Sequence, residues 1–111
     1  QADAILVRGD LACDILILPG SSADLCRHFP KACIVSCGMS ARDSVSCSSF
    51  QDQAASIAVM RELPLISGGR LDVQEICLQL QAPLPAELLS MAVAALLCAG
   101  VQPEQIVSQP F

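Results

Sequence analysis

The sequence predicts an α/β fold of Rossmann-like type: short parallel strands with a crossover helix, then an antiparallel meander and a buried C-terminal helix. Three observations carry this. Continuous apolar runs closed by Gly or Pro fill the first third of the chain, as in strands buried on both faces. The middle alternates apolar and polar residues, and the end is a long apolar stretch framed by Pro and Gly. At 111 residues the chain is read as one domain, 1–111.

The elements follow in order. Ala4-Ile5-Leu6-Val7, Asp14-Ile15-Leu16-Ile17-Leu18 and Ala32-Cys33-Ile34-Val35-Ser36-Cys37 are the first three strands. They close at Arg8-Gly9-Asp10, Pro19-Gly20-Ser21-Ser22 and Gly38-Met39-Ser40. Between the second and third, a helix is expected from Ala23 to His28 or Phe29. Ser21 and Asp24 are spaced as a capping box, and Pro30 is the stop. A strand, a helix and a strand this close together make a right-handed crossover.

Further on, Ser44-Val45-Ser46-Cys47-Ser48, then Ala54 to Met60, then Glu75 to Leu80 read as three antiparallel strands, with Ser67-Gly68-Gly69-Arg70 a turn between the last two. Pro83, Pro85 and Glu87 open the final helix. Leu88 to Ala99 is apolar nearly all round, which buries it on most sides, and Gly100 ends it. Pro103 to Val107 adds one more turn.

Composition narrows the function. Apolar residues make up 53% of the chain and charged ones 15%, with a mean hydropathy of +0.56. A small domain has little interior in which to hide that surplus, so a homodimer is expected. The net charge is −5 and the six Lys and Arg are scattered. Without a cation cluster to displace phosphate counterions, nucleic acid is not expected as a partner. The absence of Tyr and Trp removes stacking platforms as well. The apolar stretch Leu88–Val101 is too short to cross a bilayer, and the beginning of the chain carries no targeting pattern, so no membrane is expected and the location is read as cytoplasmic.

Seven cysteines stand at 13, 26, 33, 37, 47, 77 and 98, with no C-x-x-C pair. Most lie inside apolar runs, so they are read as free core thiols of a reducing compartment rather than disulfides or zinc ligands. Cys26 with His28, the single histidine, is half a metal site that nothing completes. No metal or other cofactor is predicted. Arg8-Gly9-Asp10 spells an integrin-recognition tripeptide and is taken as chance.

In open α/β sheets, ligands gather at the carboxyl ends of parallel strands. The candidate ligand-binding residues are therefore Gly20, Ser21, Ser22, Cys37, Gly38, Met39 and Ser40. The free N–H groups where a helix begins after Gly20 suit a small anion or a nucleotide. A P-loop is excluded, because the single lysine, Lys31, follows a proline, and the G-x-G-x-x-G fingerprint is absent. A third reading is a thiol enzyme with Cys37 as nucleophile, His28 as base and Asp43 orienting the histidine.

Ile34-Val35-Ser36-Cys37-Gly38-Met39-Ser40 followed by Asp43-Ser44-Val45, and later Met91 to Val101 followed by Pro103-Glu104-Gln105-Ile106, carry a resemblance. From about Asp14 to Ile106 the chain resembles the second half of the central domain of Mur ligases and folylpolyglutamate synthases. There a strand ends in a "TFG"-like pattern, "AD" follows, and a meander leads to an alanine-rich helix ending in "LG(V/I)". The family's P-loop and metal ligands have no counterpart here, and its "NxDD"-like turn reads Leu18-Pro19-Gly20-Ser21. The resemblance implies a shared fold fragment without ligase activity, and a vestigial nucleotide or anion pocket at Cys37-Gly38-Met39. The function expected first is a non-catalytic binding or assembly domain. A small-ligand binder and the thiol enzyme are the alternatives.

Overall fold

A six-stranded mixed sheet, in the order β1-β2-β3-β4-β5-β8, forms the frame of the protein, and one long helix packs across it. The computed structural model describes residues 4–7, 14–28, 31–51, 53–82 and 84–108. The strands of the sheet are β1 (Ile5–Val7), β2 (Ile15–Pro19), β3 (Cys33–Gly38), β4 (Val45–Gln51), β5 (Ala54–Val59) and β8 (Gln74–Gln79). A small hairpin of β6 (Leu63–Pro64) and β7 (Arg70–Leu71) lies between β5 and β8 along the chain. The helices are η1, a 3-10 helix (Gly20–His28), α1 (Ala86–Cys98) and α2 (Pro103–Val107).

The expected parallel start is present but begins one strand late. β2 pairs parallel with β3, and β3 with β4, whereas β1 runs antiparallel to β2. As an edge strand, β1 keeps Ile5 and Leu6 only half-buried. β2 is central, and all five of its residues are buried, as its unbroken apolar run requires. Ile15 and Ile17 face α1 in the main core, while Leu16 and Leu18 are buried outside that cluster, on the alternate face. The meander is as expected: β4, β5 and β8 pair antiparallel in chain order. Cys47, Ile57, Ile76 and Leu78 point to the core, and Ser56, Glu75 and Cys77 point outward. A register shift between Cys47 and Ser49 leaves Ser48 donating to the Ser56 carbonyl and the Glu75 carboxylate.

The β3–β4 connection is unusual. Parallel neighbours ordinarily need a crossover of a dozen or more residues, yet here residues 39–44 suffice. β4 overlaps β3 only at Cys37↔Val45 and Gly38↔Ser46, so the chain steps sideways and continues in the same direction. The meander therefore extends the sheet beyond the carboxyl ends of β2 and β3.

Two sequence expectations need correction. The helix after β2 is a kinked 3-10 helix that starts at Gly20, with Ser22 at φ −109° and ψ 30°. Ser21 lies inside it, and no Ser21–Asp24 capping bond forms; Asp24 instead meets Arg27 at 3.8 Å on the surface. The stop at Phe29 and Pro30 lies outside the described residues. Cysteine is the second case. Cys37, Cys47 and Cys98 are free and buried as expected, but Cys77 is free and exposed, because it sits on the outward face of β8. Cys33 is disulfide-bonded. A disulfide depends on two Cβ atoms meeting in space, which spacing along the chain does not report. It also departs from the reading of wholly reduced thiols. The last helix, α1, is buried on most sides as its apolar run requires: Leu89, Val93, Ala94, Leu97 and Cys98 are buried, while Leu88 is exposed.

The end of α1 follows its sequence closely. Gly100 takes φ +102°, its N–H donates to Leu97 O, and Val101 N–H donates to Leu96 O, the paired bonds of a Schellman motif. α2 opens with a reciprocal cap between Gln102 and Gln105, and Ile106 returns to the core. Among the described residues, no helix is long and apolar enough to cross a membrane.

Candidate functional site

The parallel register sets Pro19 beside Cys37, so β2 and β3 end together. Past these ends the backbone turns twice, into η1 at Gly20 and into the loop 39–44 after Gly38. The loop is held by its own polar groups. Asp43 N–H donates to Ser40 O at 3.0 Å, and Ser40 N–H donates back to Asp43 Oδ2 at 3.2 Å. Ser40 Oγ accepts the Arg42 N–H at 3.1 Å. From outside the loop, Ser36 Oγ accepts the Ser44 N–H at 3.2 Å, and Arg61 Nη1 donates to Arg42 O at 2.6 Å.

These bonds drive the Asp43 carboxylate inward until it lies across both strand ends. The residue is only 7% exposed. A Cβ built on Gly20 would come within 2.5 Å of Asp43 Oδ1, and one on Gly38 within 2.6 Å of Oδ2. The two glycines form a cradle that the carboxylate fills, and no other residue leaves that space.

A surface cleft of about 490 Å³ opens over this cradle, lined by Gly20, Ser21, Cys37, Gly38, Met39 and Ser40, with Arg42, Asp43 and Glu87. The structure thus brings six of the seven sequence candidates to one cleft; Ser22, at the kink of η1, does not line it. In the sequence, Asp43 figures as a partner for His28 and in the Asp43-Ser44-Val45 motif, not among the ligand-binding candidates. The glycines ending two adjacent strands were its signal, since each leaves room for a third group. Glu87 comes from the first turn of α1, far along the chain, and nothing local in the sequence announces it.

Among the described residues, the carboxylates of Asp43 and Glu87 and the guanidinium of Arg42 line the cleft. The two carboxylates act on Cys37, whose thiol is pushed up to about 12, first by burial and then by Asp43, Cys98 and Glu87. That is the reverse of the lowered value a thiolate nucleophile requires. The side chains of Cys26 and His28, named for a metal half-site and as the base for Cys37, lie outside the described ones. Among the described residues, no group of three or more His, Cys, Asp or Glu side chains could hold a metal ion.

No protein-family model matches the chain, and no curated protein or solved structure matches it either. What the fold and the cleft define is an α/β protein with a mixed sheet and a polar cleft at its strand ends.

Proposed function

We propose that this chain is a non-catalytic binding domain, related in fold to the central domains of Mur ligases, that takes a small molecule into the cleft at the carboxyl ends of β2 and β3. One observation carries the reading: Gly20-Ser21 and Cys37-Gly38-Met39-Ser40, from two separate strand ends, line one cleft. Strand ends of a parallel sheet are where such folds hold ligands, because the backbone there is turning and its polar groups are free to face outward. Cys37 is fully buried and its thiol is raised to about 12, which speaks against the thiol-enzyme alternative. The Mur-like relationship is supported by the order of elements: a strand ending at Cys37-Gly38, a meander, then a helix closed by Gly100-Val101.

The test is a thermal-shift screen over small polar metabolites. A ligand at about 100 times its Kd adds about 2.7 kcal/mol to stability. Ser21→Trp, at an exposed position on the cleft wall, should abolish the shift. A shift that survives this variant would place the ligand elsewhere.

A homodimer belongs to the same reading. Ile34, Met39, Met60, Val73, Leu88 and Val107 are large apolar side chains left exposed, which is surface a second copy would cover. Light scattering at micromolar concentration tests it directly: a monomer mass removes this part of the proposal.

A further inference from the structure

The cleft's floor has a property that the sequence alone did not suggest. Asp43 is more than nine-tenths buried, yet its carboxylate has one hydrogen-bond donor, the Ser40 N–H on Oδ2. Among the described residues no N–H or O–H reaches Oδ1, and no cation lies within salt-bridge distance of either oxygen. Oδ1 sits over Gly20 and lines the cleft. Among the described residues no side-chain oxygen is sealed from solvent without a hydrogen-bond partner, so Oδ1, which has no protein donor, stays open to the cleft, where a charged donor can reach it. Glu87 adds a second negative charge to the same cleft, and Ser21 and Ser40 add oxygens that accept hydrogen bonds. Arg42, the one cation among the described residues that line the cleft, is exposed and makes no ion pair with Asp43.

Resting on the binding reading above, we propose that the ligand of this cleft is an organic cation, a small molecule whose protonated amine or guanidinium pairs with Asp43 Oδ1. A phosphate or nucleotide would bring negative charge to two carboxylates, so the anion expected from the strand-end pattern is disfavoured by charge. Among the described residues, three or more His, Cys, Asp or Glu side chains do not converge there, which disfavours a metal ion. An ammonium or guanidinium group needs only one well-placed carboxylate, and a charge-assisted bond to it is short and strong. The two glycines explain how that carboxylate reaches the strand ends: any side chain at Gly20 or Gly38 would displace it.

The experiment is a thermal-shift titration of the full chain near neutral pH in low salt, with three pairs of probes. Agmatine and putrescine are the cations, adenosine and ribose the uncharged molecules, ADP and inorganic phosphate the anions. The expected result is a saturable rise in Tm with a cation and none with an anion. Asp43→Asn should weaken the cation response at least about tenfold. Glu87→Gln, at an exposed position, should weaken it about threefold, and serves if Asp43→Asn melts too low to read. Glu75→Gln, on the outward face of β8, should leave the response unchanged and so separates the cleft from general attraction to a chain of net charge −5. A rise with adenosine or ADP alone would overturn the cation and leave the binding reading standing. Silence from all six probes would overturn the cation and remove support from the binding reading too. A cation response equal in all three variants would overturn the role of Asp43.

Discussion

The Asp43 carboxylate occupies the space where Gly20 would carry a side chain, with Oδ1 2.5 Å from the position of a Cβ there. A loop residue and a strand-end residue far apart in sequence thus fit together as a filled cradle. Gly38 completes it from the neighbouring strand.

Gly20→Ala and Gly38→Ala should each destabilise the fold by about 1–3 kcal/mol, as overpacking does when the obstructing group is held in place. Asp43→Ala should relieve most of that cost, so the double variants Gly38→Ala/Asp43→Ala and Gly20→Ala/Asp43→Ala should be less damaged than the sum of their single changes. Urea denaturation of the full cycle measures this. Additive losses would mean that the carboxylate does not sit between the glycines.

The buried thiols set the response to alkali. Cys37 is raised from an ordinary value of 9.0 to about 12, chiefly by burial, and Cys98 to about 11 by burial. Between those values the unfolded chain has lost protons that the folded chain keeps. The stabilisation from these thiols is therefore complete below the unfolded value and falls as pH rises through the folded ones. Urea midpoints should drop steadily from about pH 9 to about pH 11, and less steeply in Cys37→Ala. A flat profile would show that the thiols are already ionised or exposed.

Thiol labelling should sort the cysteines by environment. Cys77 should react with an aromatic disulfide reagent in the native protein, while Cys37, Cys47 and Cys98 should react only after unfolding. Cys33 should stay unlabelled in denaturant until a reductant is added, and breaking its disulfide should lower stability by about 2–4 kcal/mol. Peptide mapping of the labelled sites reads all of these at once.

Gly100→Ala should cost about 1 kcal/mol, because φ +102° is strained for any residue with a Cβ. Gly69→Ala is the control: Gly69 shows no positive φ, and its Cβ would make ordinary contact with Leu65 at 3.6 Å. Thermal melts of the two variants should differ in that direction.

Much of the fold was legible in the residues themselves. The unbroken run Ile15–Leu18 specified a strand buried on both faces, the alternation around Ile76 and Leu78 specified one face of a meander, and Gly100 specified a helix end. These are local properties: each residue's hydrophobicity or backbone freedom acts within a few positions, and sequence spacing reports it. The strand ends Gly20-Ser21 and Cys37 to Ser40 were legible as site candidates for the same reason. The direction of β1, the stepped β3–β4 pairing and the disulfide at Cys33 were not, because each depends on which distant segments meet. So does the charge of the cleft. Sequence alone suggested the free N–H groups of a helix start, and hence an anion. Tertiary structure adds what spacing along the chain does not show, folding Asp43 across two glycines and bringing Glu87 from far along the chain to the same cleft. Electrostatic potential sums over whatever charges packing brings together, and that sum is written only in three dimensions.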